Sequence, residues 1–309
     1  MAQRSMRQGN RQGVALLTAL GLLLIFTALG TAYLRFATLR AEESRHVVAQ
    51  TRSKEAAAAG IRAVIGAIEA AAAEKTLGEL PEQMAFTFPL YAIAEAGVIE
   101  DGRYRASVTV QIEEESSKLN INHAPSSVLQ QVLDIDGETA RTLRADLPAA
   151  GGERWFLAVE DLVAHDALSE SKRREINADL LTVSTVSNPA DPRAFLNINT
   201  VHPALLGAVL DVPRDQAEEI AEARPFRSLA ELADVAEKNP STFNYRPDPE
   251  TPDRLPRELV LQPTAFRLTA TAVLEWDDGR ETDRRQVESV VALEDRSVAV
   301  FTYWSEAYS

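Results

Sequence analysis

The longest apolar pattern in the chain lies near its N-terminus, where residues 14–34 carry no charge. An α-helix needs about 20 apolar residues to cross roughly 30 Å of hydrocarbon, so we predict a membrane-spanning helix. Basic residues flank this run on both sides, and counting them leaves its orientation open. The acidic remainder of the chain weakly favours a cytoplasmic N-terminus with the bulk outside. The flanking residues are Arg4, Arg7 and Arg11 before the run and Arg35 and Arg40 after it.

A helical pattern continues beyond the apolar run. No proline occurs as far as Lys75, alanine is frequent, and apolar residues fall near helical spacing. At 1.5 Å per residue, one helix over residues 14–75 would be roughly 90 Å long. We predict this single helix, with a membrane helix and a separate soluble helix as the alternative. A bend would cost least at Gly60 or Gly66. The apolar residues are Val47, Val48, Ile61, Val64, Ile65 and Ile68.

Alternating apolar and polar residues predict β-strands before and after a long central region. The first strands cover residues 84–88 and 102–112, and the acidic run at residues 113–115 is interpreted as a solvated turn. After the central region, residues 265–276 and 284–293 predict a hairpin around an Asp-Gly turn, followed by a last strand at residues 298–304. Together with the N-terminal helix, this pattern predicts an α+β fold with a small antiparallel sheet.

The central region contains an internal repeat with an offset of 77 residues. Each copy continues with Pro, a short amphipathic helix, a turn and a second helix, and closes on a Phe-x-x-Val/Leu-x-Asp/Glu-Leu signature at residues 156–162 or 226–232. We expect the asparagines to hold the chain where the helices begin, through local hydrogen bonds. The repeated Leu-Asn-Ile-Asn residues are Leu119, Asn120 and Asn122 in the first copy and Leu196, Asn197 and Asn199 in the second.

The basic leader and the apolar helix together resemble the class III signal of type IV pilins and type II secretion pseudopilins. In those families a leader ends in glycine directly before a helix that is retained, as at Gly13 and Val14. The resemblance implies that prepilin peptidase cleaves between these residues and that Val14 is methylated. An uncleaved anchor and a secretory signal are the alternatives, and the length of the apolar run disfavours the second.

One position departs from the major pilins. They carry a glutamate at the fifth mature position, where this chain has Thr18. An uncompensated carboxylate near the bilayer centre is costly. Within the resemblance, its absence indicates the minor pseudopilin K, which caps the tip.

The repeat resembles the helix-hairpin-helix module of ComEA-like DNA-uptake proteins. DNA-binding hairpins use paired glycines so that the backbone can approach a phosphate, whereas one turn here has only Gly137 among acidic residues and the other has Pro213. The net charge of -14 also repels phosphate backbones. We therefore predict no binding of nucleic acid, and keep a membrane-anchored DNA receptor of the competence type as the alternative.

Taken over the whole chain, these features resemble the minor pseudopilins K of type II secretion, in which a large all-α domain is inserted into the pilin sheet. The resemblance implies a single-pass bacterial inner-membrane protein with a cytoplasmic N-terminus and a periplasmic bulk at the pseudopilus tip. Its partners would be the minor pseudopilins I and J, other inner-membrane components of the machine and prepilin peptidase. The expected parts are the leader (1–13), spine (14–78), first sheet part (79–118), inserted domain (119–262, with units at 119–162 and 196–232) and closing strands (263–309).

Composition removes several kinds of chemistry. Without cysteine there can be no disulfide, thiolate metal site or cysteine nucleophile. The four histidines are scattered without metal-binding spacing, and no catalytic motif occurs, so we expect neither a zinc site nor an enzyme. We expect no cofactor, with a structural calcium ion as the alternative. Its candidate ligands are Asp248, Glu250 and Asp253, and the acidic run at residues 113–115.

Overall fold

The computed structural model describes residues 3–89, 104–145, 156–183, 196–228, 231–232, 235, 259–276, 281–294 and 297–307. The fold is α+β, as predicted, with a long N-terminal helix, an antiparallel sheet and several short helices. The helices are α1 (Gln3–Glu74), α2 (Ser126–Val132), α3 (Gly137–Ala145), α4 (Val159–Val163), α5 (Glu170–Glu175), α6 (Pro203–Leu210) and α7 (Arg214–Glu222). The strands are β1 (Gln83–Pro89), β2 (Tyr104–Glu114), β3 (Leu119–Asn120), β4 (Leu181–Thr182), β5 (Leu196–Asn197), β6 (Leu259–Val260), β7 (Ala265–Trp276), β8 (Glu281–Glu294) and β9 (Ser297–Ala307).

Helix α1 is continuous over 72 residues, which makes it about 110 Å long. It confirms the predicted single helix and also takes in most of the predicted leader. Within the part of the chain that the structure describes, it is the one helix long and apolar enough to cross a membrane. Its apolar part is exposed along its length, with side chains such as Leu23 and Phe26 about two-thirds accessible. The chain therefore has the predicted long apolar N-terminal helix, which is consistent with a single membrane span or a signal-like anchor.

The last third of α1 is buried against the main sheet. This sheet has the order β1-β2-β7-β8-β9 and is antiparallel throughout. Alternation along β2 and β7 places one row of apolar side chains against the helix, as the pattern of period two requires. The core residues include Ile61, Val64 and Ile68 on α1, Val108 and Val110 on β2, and Leu268, Ala270 and Ala272 on β7.

Gly60 marks the closest approach between α1 and the sheet. A Cβ atom at this position would lie 2.6 Å from Cγ1 of Val108 and 3.2 Å from Cγ2 of Val110. The glycine is therefore needed for packing, and α1 continues through it as a helix rather than ending in the suggested bend. Nearby, the buried Ser53 hydroxyl donates to the carboxylate of Asp283 on β8, which adds a polar tie between helix and sheet.

The central region connects two strands that are neighbours in the sheet. The chain leaves the sheet after Glu114 at the end of β2 and returns at Ala265, where β7 pairs with β2. The region has its own hydrophobic core, separate from the core under α1. The prediction that it is all-α is wrong, because the parallel pairs β3–β4 and β5–β6 lie among its helices. These strands are two residues long, too short to show an alternating pattern in the sequence.

Candidate functional site

The first Leu-Asn-Ile-Asn unit is closed by the side chain of Asn122. Its Nδ2 donates to the backbone oxygen of Phe156 over 2.9 Å, and the Phe156 N–H donates to its Oδ1 over 3.0 Å. An amide side chain thus pairs with both backbone groups of one residue, as a strand neighbour would. Asn122 and Phe156 are both buried, so these polar groups would otherwise lose their hydrogen bonds. We call this pair of bonds the asparagine clamp.

The second unit repeats the asparagine clamp. Asn199 Nδ2 donates to the Phe226 oxygen over 3.0 Å, and the Phe226 N–H donates to Asn199 Oδ1 over 2.7 Å. The same Nδ2 also donates to the oxygen of Leu261 over 2.8 Å, just before the chain re-enters the sheet. The asparagine and the phenylalanine are 34 residues apart in the first unit and 27 in the second, yet the same contact forms in both.

The first asparagine of each unit acts locally. Asn120 Oδ1 accepts from the Asn122 N–H over 2.9 Å, and Asn197 Oδ1 accepts from the Asn199 N–H over 3.1 Å. These are the expected local hydrogen bonds, which fix the backbone that presents the clamping asparagine. The asparagines do not cap the helices themselves: the residues before α2 and α6 are Pro125 and His202, and His202 Nδ1 accepts from the Ala204 N–H.

Each unit also ties its own beginning to its own end by a parallel pair of strands. The buried Leu119 pairs with Leu181, and the buried Leu196 pairs with Leu259. The N–H of the following isoleucine then donates to the opposite strand, from Ile121 to Thr182 over 3.0 Å and from Ile198 to Val260 over 2.9 Å. The units therefore extend beyond the sequence boundaries 119–162 and 196–232, to Thr182 and Val260.

The acid of the closing signature makes the same contact in both units. Asp161 Oδ2 accepts from the Leu157 N–H over 2.8 Å, and Glu231 Oε2 accepts from the Arg227 N–H over 2.7 Å. In both units the acid therefore holds the residue that follows the clamped phenylalanine. The leucine after each acid, Leu162 or Leu232, is buried in the core.

The turn of each hairpin contains an aspartate with a left-handed backbone conformation. Asp134 has φ 48° and Asp211 has φ 54°, a conformation that glycine adopts most easily. The two aspartates are separated by the repeat offset. Gln131 Nε2 donates to Asp211 Oδ1 over 3.3 Å, and Lys172 pairs with Asp134 over 2.6 Å. Carboxylates at both turns oppose the approach of a phosphate.

The acidic run at residues 113–115 is not the solvated turn that was predicted. Glu115 is fully buried in a 3₁₀ turn, Glu115–Ser117. Its Oε1 accepts from Arg267 Nε over 2.5 Å and from Lys118 Nζ over 3.0 Å, and Arg267 also pairs with Glu288 on β8. A run of like charges is normally exposed. Here Glu115 can be buried because Arg267 on β7 and Lys118, directly after the 3₁₀ turn, neutralise its charge.

Adjacent glutamates contact both units at this junction. Glu114 Oε1 accepts from Asn197 Nδ2 in the second unit over 2.8 Å and from the Ser116 hydroxyl over 2.6 Å. The Thr182 hydroxyl of the first unit hydrogen-bonds Glu115. Burial acts to raise the pKa of Glu115, but the hydrogen bonds from Arg267 and Thr182 and the charges of Arg267 and Lys118 hold that pKa below its usual value. The pKa values of Lys118 and Arg267 are raised by the carboxylates beside them, against the effect of burial.

Three of the remaining candidate residues lie far from this junction along α1. Gly13 and Val14 lie within α1, and Thr18 is exposed on the same helix, all well before Ser53, where α1 meets the sheet. Asp248, Glu250 and Asp253 lie outside the described residues. Among the described residues, no group of three His, Asp or Glu side chains could hold a metal ion. The carboxylates of the acidic run are not all free to bind calcium, because Glu115 is paired with Lys118 and Arg267.

Sequence reasoning missed the importance of Arg267 and of the clamped phenylalanines. Arg267 stands among alternating apolar residues of a strand, and its position opposite Glu113 in β2 becomes visible only once the register is known. The phenylalanines were identified as part of the repeat, but it is their backbone groups, and not their side chains, that bond the clamping asparagines. No protein-family model and no curated protein matches this chain.

Proposed function

We propose that this chain is a membrane-anchored, non-enzymatic subunit of a pilin-like assembly, namely the minor pseudopilin K of a type II secretion machine. The observation that carries the proposal is the division of α1. Its exposed apolar part can cross a membrane, and the same uninterrupted helix ends as the spine of a β-sheet head. Such a helix can couple events in the membrane to a folded head without a flexible linker.

The central region supports the assignment to a K-type subunit. The described residues between β2 and β7 would belong to a second domain inserted between these adjacent strands, and Glu114 and Glu115 lie where it joins the sheet. A large domain at the head would obstruct stacking of another subunit above it, which suits a tip subunit with neighbours on one side. The partners would be the minor pseudopilins I and J, with which this chain would begin assembly in the inner membrane.

Processing and orientation follow from the same proposal. Prepilin peptidase on the cytoplasmic side would remove residues 1–13 and leave Val14 as a methylated N-terminus, with the bulk of the chain in the periplasm. Thr18 would then hold the position where shaft subunits carry glutamate. A tip subunit has no neighbour above it to neutralise such a carboxylate, and an unpaired charge in the membrane is costly.

The acidic hairpins argue against the competing assignment as a DNA receptor. Asp134 and Asp211 occupy the left-handed turn positions, and no paired glycines are present there. A receptor should shift duplex DNA in a gel with a steep salt dependence. We expect no shift by the full chain in detergent.

Co-purification tests the proposed function directly. The full chain, tagged at its C-terminus, would be co-expressed with candidate I and J subunits and prepilin peptidase, and extracted in detergent. We expect a stable complex with both subunits, in which mass spectrometry finds Val14 at the N-terminus of this chain. A tagged major pseudopilin is the control for non-specific capture. If I and J associate with each other while this chain elutes alone, the K assignment is wrong.

A further inference from the structure

Charge is distributed very unevenly along α1. Of the 46 acidic residues in the chain, only Glu42 and Glu43 precede Glu55. The segment from residue 35 to residue 54, which directly follows the apolar run, is therefore basic although the chain as a whole is acidic. Its five basic residues are Arg35, Arg40, Arg45, Arg52 and Lys54.

One face of α1 at this boundary carries two aromatic rings and a cation. Tyr33, Phe36 and Arg40 follow one another at helical spacings of three and four residues, which places them on one face. Tyr33 is 71% exposed and Phe36 is 57% exposed. The Arg40 guanidinium lies 5.3 Å from the centre of the Phe36 ring, and it also pairs with Glu43 over 3.2 Å. We call these three residues the boundary face.

The position of the boundary face along the helix matches the edge of a bilayer. Residues 14–34 span about 30 Å, the thickness of the hydrocarbon core. Arg40 is six residues beyond this run, roughly 9 Å along the helix axis, which is the depth of lipid head groups. Aromatic rings favour this layer, and arginine extends its charged end into it from an apolar stem.

We propose that the boundary face, together with Arg35 one residue before Phe36 in the sequence, binds the phosphates of anionic lipids and so fixes how far α1 is inserted in the membrane. The proposal rests on the membrane anchoring in the proposed function and is independent of its assignment to the K subunits. Lipid phosphate is the occupant because the aromatic rings need an apolar layer next to the charge, which a free phosphate ion does not supply. Glu42 and Glu43 lie on the far side of Arg40 from the membrane.

The absence of cysteine in the chain gives a direct test. Ala41→Cys introduces a unique site for a spin label just beyond Arg40, and the full chain is placed in nanodiscs of phosphatidylcholine alone or mixed with phosphatidylglycerol. Electron paramagnetic resonance with oxygen and a nickel chelate then reports the depth of the label. We expect the label to lie deeper in the anionic bilayer by about two residues of helix, roughly 3 Å. High salt should abolish the difference.

Variants separate charge from structure. Arg35→Gln with Arg40→Gln should remove the lipid-dependent difference, whereas Lys at both positions should retain it. Arg62→Gln, on the part of α1 packed against the sheet, is the matched control and should leave the difference unchanged. Equal depth in the two bilayers would overturn this proposal alone. Failure of the chain to enter either nanodisc would overturn the anchor as well.

Discussion

The two Leu-Asn-Ile-Asn units share one design but place it in different surroundings. In both, an asparagine clamps the backbone of a phenylalanine, and a parallel pair of strands joins the ends of the unit. In the first unit the clamping Asn122 is buried and makes two bonds. In the second unit Asn199 is partly accessible and makes three, the third to Leu261 next to the sheet.

The comparison shows that a repeated sequence pattern specifies a contact but not how much that contact contributes to the free energy of unfolding. Water can replace a lost hydrogen bond at Asn199 more readily than at Asn122, because only the latter is enclosed. Both units contact the glutamates of the junction, but only the second has a clamping asparagine that also bonds outside the unit, to Leu261. We therefore expect the units to respond differently to equivalent changes.

The largest difference in stability loss should appear when the two glutamates at the junction are replaced one at a time. Glu115→Ala removes a fully buried carboxylate that pairs with Arg267 and Lys118, and breaking a buried ion pair typically costs about 3–5 kcal/mol. Glu114→Ala removes two hydrogen bonds at a partly exposed site, which should cost about 1–2 kcal/mol. Hydrogen exchange measured by mass spectrometry should show lost protection around Thr182 in the first case and around Asn197 in the second.

Glu113→Ala is the matched control for this pair of variants. Its side chain is 57% exposed although it contacts Lys118 over 2.7 Å. An exposed pair of this kind contributes at most about 1 kcal/mol. If Glu113→Ala and Glu115→Ala were equally destabilising, the buried network would not be what joins the central region to the sheet.

The asparagine clamps should rank next. Asn122→Ala leaves the N–H and oxygen of Phe156 unpaired in a buried position, and we expect a loss of about 3 kcal/mol. Asn199→Ala removes one bond more, but solvent access should reduce its cost to about 2 kcal/mol. Urea unfolding of the chain in detergent, followed by hydrogen exchange at each unit, measures both.

Asn177→Ala serves as the control for the clamp variants, since Asn177 is an exposed cap of a short 3₁₀ turn. Its expected cost is about 1 kcal/mol or less. A larger loss at Asn199 than at Asn122 would mean that the number of bonds outweighs burial.

One glycine in each unit should give a smaller difference in stability when it is replaced by alanine. A Cβ atom at Gly207 in α6 would lie 3.2 Å from the Val212 oxygen and 3.4 Å from Ala217 Cβ, so α6 and α7 would have to separate. At Gly137 the added atom would meet only the end of the Gln130 side chain, also at 3.2 Å. We expect Gly207→Ala to destabilise the chain by about 1 kcal/mol and Gly137→Ala to be neutral or stabilising by about 0.5 kcal/mol. Thermal unfolding of the two variants checks the opposite signs, which equal shifts would contradict.

Mild acid should have the smallest effect and should act on the first unit. Burial, and then the charge of Arg144, lower the pKa of His123 below 6.5. A base with a depressed folded-state pKa contributes stability that is complete above its unfolded pKa and is lost as the pH falls below it. Exchange protection in the first unit should therefore decline below about pH 6.5, and His123→Gln should flatten this decline. Glu115 affects the pH dependence only in stronger acid, because the stability it contributes is present above its unfolded pKa of 4.5 and is lost as the pH falls below that value. An equal decline in the second unit would contradict the assignment to His123.

The sequence predicted the elements that depend on local periodicity and missed contacts between distant residues. The course of α1, the hairpin of β7 and β8, and the helices after the repeated prolines all follow from spacing that can be read along the chain. The bond between Asn122 and Phe156 joins residues 34 positions apart and has no local signal. Glu115 looks solvent-exposed in the sequence because the cation that permits its burial, Arg267, lies 152 residues away.

The closure of each unit on itself bears on the order in which the chain folds. Pairing β2 with β7 directly would close a loop of more than a hundred residues, and the entropic cost of closing a loop grows with its length. Leu119 meets Leu181 and Leu196 meets Leu259 within the units, so each unit draws its own ends together first. We expect both units to form early and to shorten the effective distance between the strands. β2 and β7 would then already lie close together. The sheet on which α1 packs could form without closing a long loop.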